Sequence, residues 1–376
     1  MSGQSPTADE IQQAARWEKL EAALREHYHE PELGAVRALC SAFAAHTLSG
    51  PPVWPMLIAP PGSMKTDLVK ALDGLPKVHL IDTVTPHTFL SGQIDDPKKK
   101  GKVPPSLLHR IGPDGIMVCA DFGTVISMNR DCRASVLADL RRIYDGQLRQ
   151  EFGTDENLKK HEWRGRITFI AAATPDVDVH YGIFQTLGER FLMVRWHRPG
   201  GINAALKAMN QNGKLAEKEL KEAVHALLQT VPTSEPRLPE ELQRKLAALS
   251  EFVVRARTHV PRNGYSKDIV YVPEPEAATR LAQQVAQLTK GSAVLAGRPV
   301  ADEEDYSVAL RAGRDCIPAT RAKILDALIA RGNIKRVNLP ASTLYYAIEE
   351  LKSQELIAGA SLSPLARDLL LQAGIL

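Results

Sequence analysis

Lys65 and Thr66 are the side chains whose types and placement come closest to a defined chemistry. They end the octapeptide Ala59-Pro60-Pro61-Gly62-Ser63-Met64-Lys65-Thr66. An apolar run, Val53-Trp54-Pro55-Met56-Leu57-Ile58, leads into it, and a helix-like run, Asp67-Leu68-Val69-Lys70-Ala71-Leu72, leads out. Strand, loop and helix in that order, with Lys-Thr at the loop's end, is the layout of a phosphate-binding P-loop. Pro61, Gly62, Ser63, Met64, Lys65, Thr66 and Asp67 are the candidate nucleotide-binding residues, because backbone N–H groups at a helix start cradle phosphate oxygens. Lys65 is expected to reach the β- and γ-phosphates of ATP, and Thr66 to hold Mg²⁺. The usual pattern, G-x-x-x-x-G-K-[ST], is broken twice: Ala59 stands for the first glycine and Met64 for the last.

An acidic partner is expected at the carboxyl end of a neighbouring strand, where open α/β sheets bind ligands. Gly115-Ile116-Met117-Val118-Cys119-Ala120-Asp121-Phe122 fits, with Asp121 emerging from a buried strand. Two registers are open. Asp121 is the Mg²⁺-organising aspartate and Phe122 replaces a catalytic glutamate, or Asp121 holds the glutamate position and Ala120 replaces the aspartate. Either way one of two expected carboxylates is missing. A third strand, Arg166 to Ala173, ends at Thr174-Pro175, where a hydroxyl could orient the attacking water. Next comes Leu187-Gly188-Glu189-Arg190-Phe191, and Arg190 could neutralise charge developing on a neighbouring subunit's γ-phosphate. Taken singly, each of these has a plain reading as a strand end or a surface arginine.

The elements that must position these residues alternate. Residues 7–27 read as an amphipathic helix, with Thr7 and Glu10 at capping-box spacing and Trp17, Leu20 and Leu24 on one face. A second helix is expected from about Glu32 to Leu48. Strand-like runs at Met56–Ala59, Val78–Ile81, Ile116–Ala120, Ile167–Ala172 and Phe191–Trp196 are separated by helical patterns, which argues for a parallel sheet covered on both faces. Pro199-Gly200-Gly201 marks a boundary. The expected organisation is N-terminal helices over 1–49, a nucleotide-binding core over 50–200, an all-helical lid over 201–316 and a small C-terminal domain over 317–376.

Together these motifs resemble the AAA+ ATPases, and within them the MCM-like branch; the order also resembles P-loop ATPases of phages and mobile elements. The resemblance covers about residues 50–315. It implies an AAA+ α/β core, Thr174 as a γ-phosphate sensor, Arg190 as an arginine finger acting in trans, and Arg280, in Pro275–Ala282, as a second sensor arginine. It also implies a homo-oligomeric ring, usually hexameric. A helix at about Arg130–Tyr144 is followed by a turn at Asp145-Gly146, a run to Phe152, a polar tip and a return through Trp163. This reads as a β-hairpin, and the related proteins aim such a hairpin at DNA, which nominates Lys159 and Lys160. The last 60 residues resemble a winged helix, with helices from Ala319 and Ala341; Lys335 and Arg336 are its candidate DNA contacts. A second basic run, Lys98-Lys99-Lys100-Gly101-Lys102, reads as a surface loop.

Other classes find little support. Among 376 residues, the four cysteines show no C-x-x-C spacing, and the histidines, His27 and His29 included, show no metal spacing. No G-x-S-x-G motif is present. No run approaches the roughly 18 apolar residues of a membrane span, and the polar N-terminus fits a cytoplasmic protein. A net charge of +3 is too mild to imply a nucleic-acid partner by itself. The expected function is a ring-forming ATPase that acts on DNA, with replication or transposition proteins as possible partners. The alternatives are an ATP-dependent switch or loader of a phage or mobile element, and a non-hydrolysing scaffold that binds partners through its C-terminal domain.

Overall fold

The computed structural model describes residues 6–86, 88–90, 106–152, 159–178, 189–196, 201–334 and 337–376, without the side chains of Phe152 and Lys159. The basic run at 98–102, the hairpin tip, Lys335 and Arg336 therefore lie outside the described residues.

A five-stranded parallel sheet forms the centre: β1 (Trp54–Ile58), β2 (Val78–Ile81), β3 (Asp114–Cys119), β6 (Arg166–Ala173) and β7 (Phe191–Arg195), in the spatial order β2-β3-β6-β1-β7. The strands are short apolar runs, and four of the five are buried along nearly their whole length. Such strands need cover on both faces. An aromatic cluster supplies part of that core. Trp54 meets Tyr144, Phe169 and Phe191 at ring-centroid distances of 5.1, 5.5 and 5.4 Å. Its indole N–H donates to the Ile167 carbonyl at 2.7 Å, so the one polar atom of a fully buried ring is satisfied.

The helices follow their sequence signals closely. Helix α1 (Ala8–His27) starts in the expected capping box, with Glu10 N–H donating to Thr7 Oγ1 and Thr7 N–H to Glu10 Oε2. Helix α2 (Leu33–Ala44) continues as a 3₁₀ turn to Thr47. Short helices α3 (Lys65–Lys70), α4 (Leu107–Ile111) and α5 (Gly123–Ile126) follow β1, precede β3 and follow β3. Helix α6 (Arg130–Tyr144) leads into the antiparallel hairpin β4 (Gln147–Phe152) and β5 (Lys159–Arg164), as read from the sequence.

Residues 202–315 carry α7 (Ile202–Asn210), α8 (Gly213–Leu228), α9 (Glu240–Arg257), α10 (Thr279–Leu295) and α11 (Glu303–Asp315). All of these but α7 share one core with the N-terminal pair: α2 lies along α10, and α1 along α8. The α2–α10 approach is close enough to require a glycine. A Cβ on Gly291 would stand 2.2 Å from the Ser41 carbonyl oxygen. The span 258–278 is not helical, and a short antiparallel bridge, Arg262 to Ile269, folds it back on itself.

The C-terminal segment holds α12 (Ala319–Arg331), α13 (Ala341–Ser353), a two-residue ribbon β8 (Ile357–Ala358) and β9 (Ser361–Leu362), and α14 (Pro364–Gln372). The ribbon was too short to show as a pattern in the sequence. No helix among the described residues is long and apolar enough to cross a membrane.

Candidate nucleotide-binding site

Because the five strands are parallel, whatever follows each of them emerges at one edge of the sheet. The octapeptide follows β1, Asp121 follows β3, Thr174 follows β6 and Trp196 follows β7. Strand β6 lies between β1 and β3, so Asp121 is two strand spacings from the loop, roughly 10 Å, and Thr174 lies between them. Residues far apart in sequence thus meet at the carboxyl edge, as the motif order predicts. Arg190 and Arg280 do not join them.

The loop turns through two left-handed residues, Gly62 at φ 74° and Met64 at φ 48°. Glycine takes this conformation without cost; a methionine does not. Met64 therefore holds the backbone shape that a glycine would give at the position before Lys65, and its half-buried side chain packs against the core. Ser63 Oγ donates back to the Pro60 carbonyl at 2.5 Å and tightens the turn. Lys65 and Thr66 then open α3.

The loop lines a cavity of ≈ 580 Å³. Its other walls come from the α1–α2 junction (His27, Tyr28, His29 and Pro31), from Trp196 and from α7. The size is within the range of small-molecule sites. Tyr28 donates its hydroxyl to Asp67 Oδ2 at 3.3 Å, fixing the junction against the start of α3. Burial raises the Tyr28 pKa, and the nearby Asp67 carboxylate adds to it. Burial likewise pushes the Asp67 carboxyl up, against the hydrogen bond from Tyr28. The triplet at 27–29, which has no metal spacing, is a cavity wall. A lone tyrosine between two histidines gives no pattern by which this could be read from sequence.

At the neighbouring strand ends the acidic groups are exposed. Asp121 Oδ1 accepts from Gly123 N–H at 3.0 Å, and Thr124 Oγ1 donates to the Asp121 carbonyl at 2.9 Å. The carboxylate thus accepts from the first N–H of the short helix α5 and remains at the surface. Phe122 points the other way, fully buried against Phe169 and Phe191. Thr174 donates its hydroxyl to Asp176 Oδ2 at 3.2 Å. Asp176 is an exposed carboxylate one strand nearer the loop than Asp121, and sequence reasoning passed over it. Its signal was the Thr-Pro-Asp run at the end of β6.

Arg195 was also missed. It stands opposite Ile58 in the sheet register. Its guanidinium donates to both oxygens of Asp178 at 2.7 and 2.8 Å, and Nε donates to the Asp315 carbonyl at 2.8 Å. This pair ties the turn after Thr174 to the end of α11.

Thr66 and Asp121 would be the protein donors to Mg²⁺, with phosphate oxygens and water completing six oxygens. The described residues hold no cluster of three or more acidic, histidine or cysteine ligands. Few protein ligands suit an ion carried in by a nucleotide.

Arg190 and Arg280 lie together at the amino edge. Arg190 precedes Phe191, which pairs with Trp54 at the start of β1, so a strand length of roughly 15 Å separates it from the loop. Its side chain is 6% exposed and gives Nη2 to both oxygens of Asp145, at 3.0 and 2.8 Å. Arg280, at the start of α10, pairs with Glu276 at 3.6 Å. Burial lowers the Arg190 pKa, against the hydrogen bond and charge of Asp145, with Arg280 and Arg141 adding smaller downward contributions.

The hairpin rises from the same amino edge. Leu148 and Trp163 anchor its base, with the Trp163 indole N–H donating to the Gly112 carbonyl at 2.7 Å. The outer pairs alternate in sign: Lys160 faces Glu151 at 3.1 Å, and Arg149 faces Glu162 at 3.1 Å. Glu349 and Glu350, on α13, are neutralised internally. Arg262 reaches both, at 3.2 and 2.8 Å, and Arg321 reaches Glu350 at 2.8 Å.

No family model and no curated protein sequence matches this chain. The functional reading therefore stands on the geometry.

Proposed function

We propose that this chain is an AAA+-type ATPase that assembles as a ring and acts on DNA. The observation that carries the reading is the meeting at one sheet edge of the P-loop, Thr174 and Asp121, with β6 inserted between β1 and β3. Lys65 binds the β/γ-phosphates and Thr66 and Asp121 hold Mg²⁺, which supplies charge neutralisation at the phosphates. The base lies in the cavity between the α1–α2 junction and α7. Asp176, with Thr174, offers the second carboxylate that β3 lacks. In this reading Arg190 and Arg280 serve a neighbouring copy, and Arg190 exchanges Asp145 for phosphate when it does so. The hairpin, through Lys159 and Lys160, and the winged-helix-like C-terminal segment face DNA.

Titration calorimetry tests the nucleotide site. Lys65→Ala should lose about 1.5–3 kcal/mol of ATP binding, the worth of a hydrogen bond to a charged group. A variant that binds ATP as tightly as wild type sinks the assignment.

The burial of Phe122 favours a second reading, a slow nucleotide-dependent switch or loader. That side chain is locked in the aromatic core, so β3 presents one carboxylate and no more. DNA-stimulated turnover coupled to strand separation would exclude the switch.

A further inference from the structure

Three tryptophan rings are buried among the described residues, Trp54, Trp163 and Trp196. Two of their indole N–H groups are satisfied. Trp54 Nε1 donates to the Ile167 carbonyl and Trp163 Nε1 to the Gly112 carbonyl, each at 2.7 Å. Trp196 is 4% exposed, and its Nε1 is buried without a partner. Buried polar groups in folded chains are nearly always hydrogen-bonded, so an indole N–H with no acceptor needs a reason. Its position supplies one. Trp196 is a wall of the P-loop cavity, and among the described residues no other side chain of that wall holds a buried polar atom without a partner.

The residue is firmly mounted. Its backbone N–H donates to the Ile58 carbonyl at 2.8 Å, which extends the β1–β7 ladder by one residue and sets Trp196 beside Ala59, the first residue of the octapeptide. Its neighbour is fixed as well, with Arg195 N–H donating to Asp315 Oδ2 at 2.8 Å. Strand order then decides which part of a nucleotide Trp196 meets. Asp121, Thr174 and Asp176 follow β3 and β6, on one side of the loop, and Trp196 follows β7, on the other. Phosphates and Mg²⁺ held by Lys65, Thr66 and Asp121 therefore leave the nucleoside on the Trp196 side. Pro31 and the α7 alanines Ala204, Ala205 and Ala208 add small apolar walls to the same cavity. Apolar walls with one fixed donor suit an aromatic base better than a hydrated sugar.

We propose that Trp196 Nε1–H donates to a ring nitrogen of the bound purine and so reads the base of the nucleotide. An indole N–H donates and cannot accept, so the atom it meets is an acceptor. In adenine the ring nitrogens N1, N3 and N7 are the acceptors, whereas the exocyclic amine donates. The inference rests on the nucleotide reading above and adds to it the residue that selects the base. In this role Trp196 is a binding residue and takes no part in phosphoryl transfer.

Titration calorimetry of the full chain tests it. The probes, each with Mg²⁺, are ATP, its 1-deaza, 3-deaza, 7-deaza and 2′-deoxy analogues, and inorganic tripolyphosphate. Trp196→Phe removes the N–H and keeps an aromatic ring. It should weaken ATP about tenfold, near the upper end for one neutral hydrogen bond, and leave tripolyphosphate unchanged. In wild type one deaza analogue should bind about tenfold more weakly than ATP, and Trp196→Phe should bind that analogue and ATP equally. Wild type that binds all three deaza analogues as tightly as ATP overturns the proposal. So does a Trp196→Phe variant that binds ATP as tightly as wild type. A loss confined to 2′-deoxy-ATP puts the contact on the sugar and overturns the base assignment. In each of these cases intact tripolyphosphate binding leaves the P-loop assignment standing, whereas wild type that binds neither ATP nor tripolyphosphate overturns the nucleotide reading itself. The analogue series uses the unaltered chain, so it decides the question even where Trp196→Phe fails to fold.

Discussion

The two edges of one parallel sheet differ in how they hold most of their charged groups, although the carboxyl edge also holds one largely buried pair, Arg195 with Asp178. At the amino edge three arginines are held by partners within the fold. Arg190 is held by Asp145, Arg257 by Glu189 and Glu276, and Arg166 donates to the Ala45, His46 and Gly50 carbonyls. At the carboxyl edge Asp121 and Asp176 are exposed, and they accept from Gly123 N–H and Thr174 Oγ1 of their own turns. Desolvating a charge is costly unless it is paired. The amino edge is therefore a place where substitution should cost stability, and the carboxyl edge a place where it should cost ligand chemistry.

The largest effect that could break this contrast is at Arg257, whose side chain is 2% exposed. Arg257→Ala leaves Glu189 buried without that partner and should destabilise by about 3–5 kcal/mol, read from urea denaturation. A loss under about 1 kcal/mol would mean the amino edge is not built on its ion pairs.

Lys65→Ala and Asp121→Asn probe the other edge. Each should leave unfolding stability within about 0.5 kcal/mol of wild type, while Asp121→Asn lowers ATP turnover at least about tenfold. A stability loss comparable to that of Arg257→Ala would erase the distinction between the edges.

His46 sharpens the amino edge further. Its Nδ1 lies 3.0 Å from Thr168 Oγ1 and its Nε2 3.2 Å from Asp114 Oδ1. Burial lowers its pKa to about 4, helped by Arg166 and Lys77 and opposed by Asp114. The folded state thus resists a proton that the unfolded chain accepts below about pH 6.5. Stability from this group is complete above that pH and falls as pH drops towards 4, at up to roughly 1.4 kcal/mol per unit. His46→Gln should flatten that part of the pH–stability curve; an unchanged slope would assign it to other groups.

The smallest expected effect is on the hairpin. Lys160 is 74% exposed and opposite Glu151. Lys160→Ala should weaken DNA binding about equally for all sequences and reduce the salt slope by about 1. An unchanged slope would remove Lys160 from the interface.

Much of this arrangement was legible in the chain. The capping box at Thr7 and Glu10, helix α6, the hairpin turn at Asp145-Gly146 and all five strands of the sheet have local causes, in caps, periodicity and apolar runs, and local causes are written in sequence. The P-loop was legible because its chemistry lies within eight residues. The left-handed Met64 was not, because only the folded loop shows that a non-glycine residue adopts a glycine's conformation there.

Sequence alone thus determined the strands of the sheet, several of the longer helices and the order of the motifs that follow the strands. Tertiary structure decided which motifs meet. Parallel strands with β6 between β1 and β3 put Asp121, Thr174 and Asp176 at the edge of the loop, and the same geometry sent Arg190 and Arg280 to the far one. It also made Tyr28 and α7 walls of the cavity. The reason is physical: strand order and helix packing depend on contacts between residues a hundred or more positions apart, and no local pattern records them.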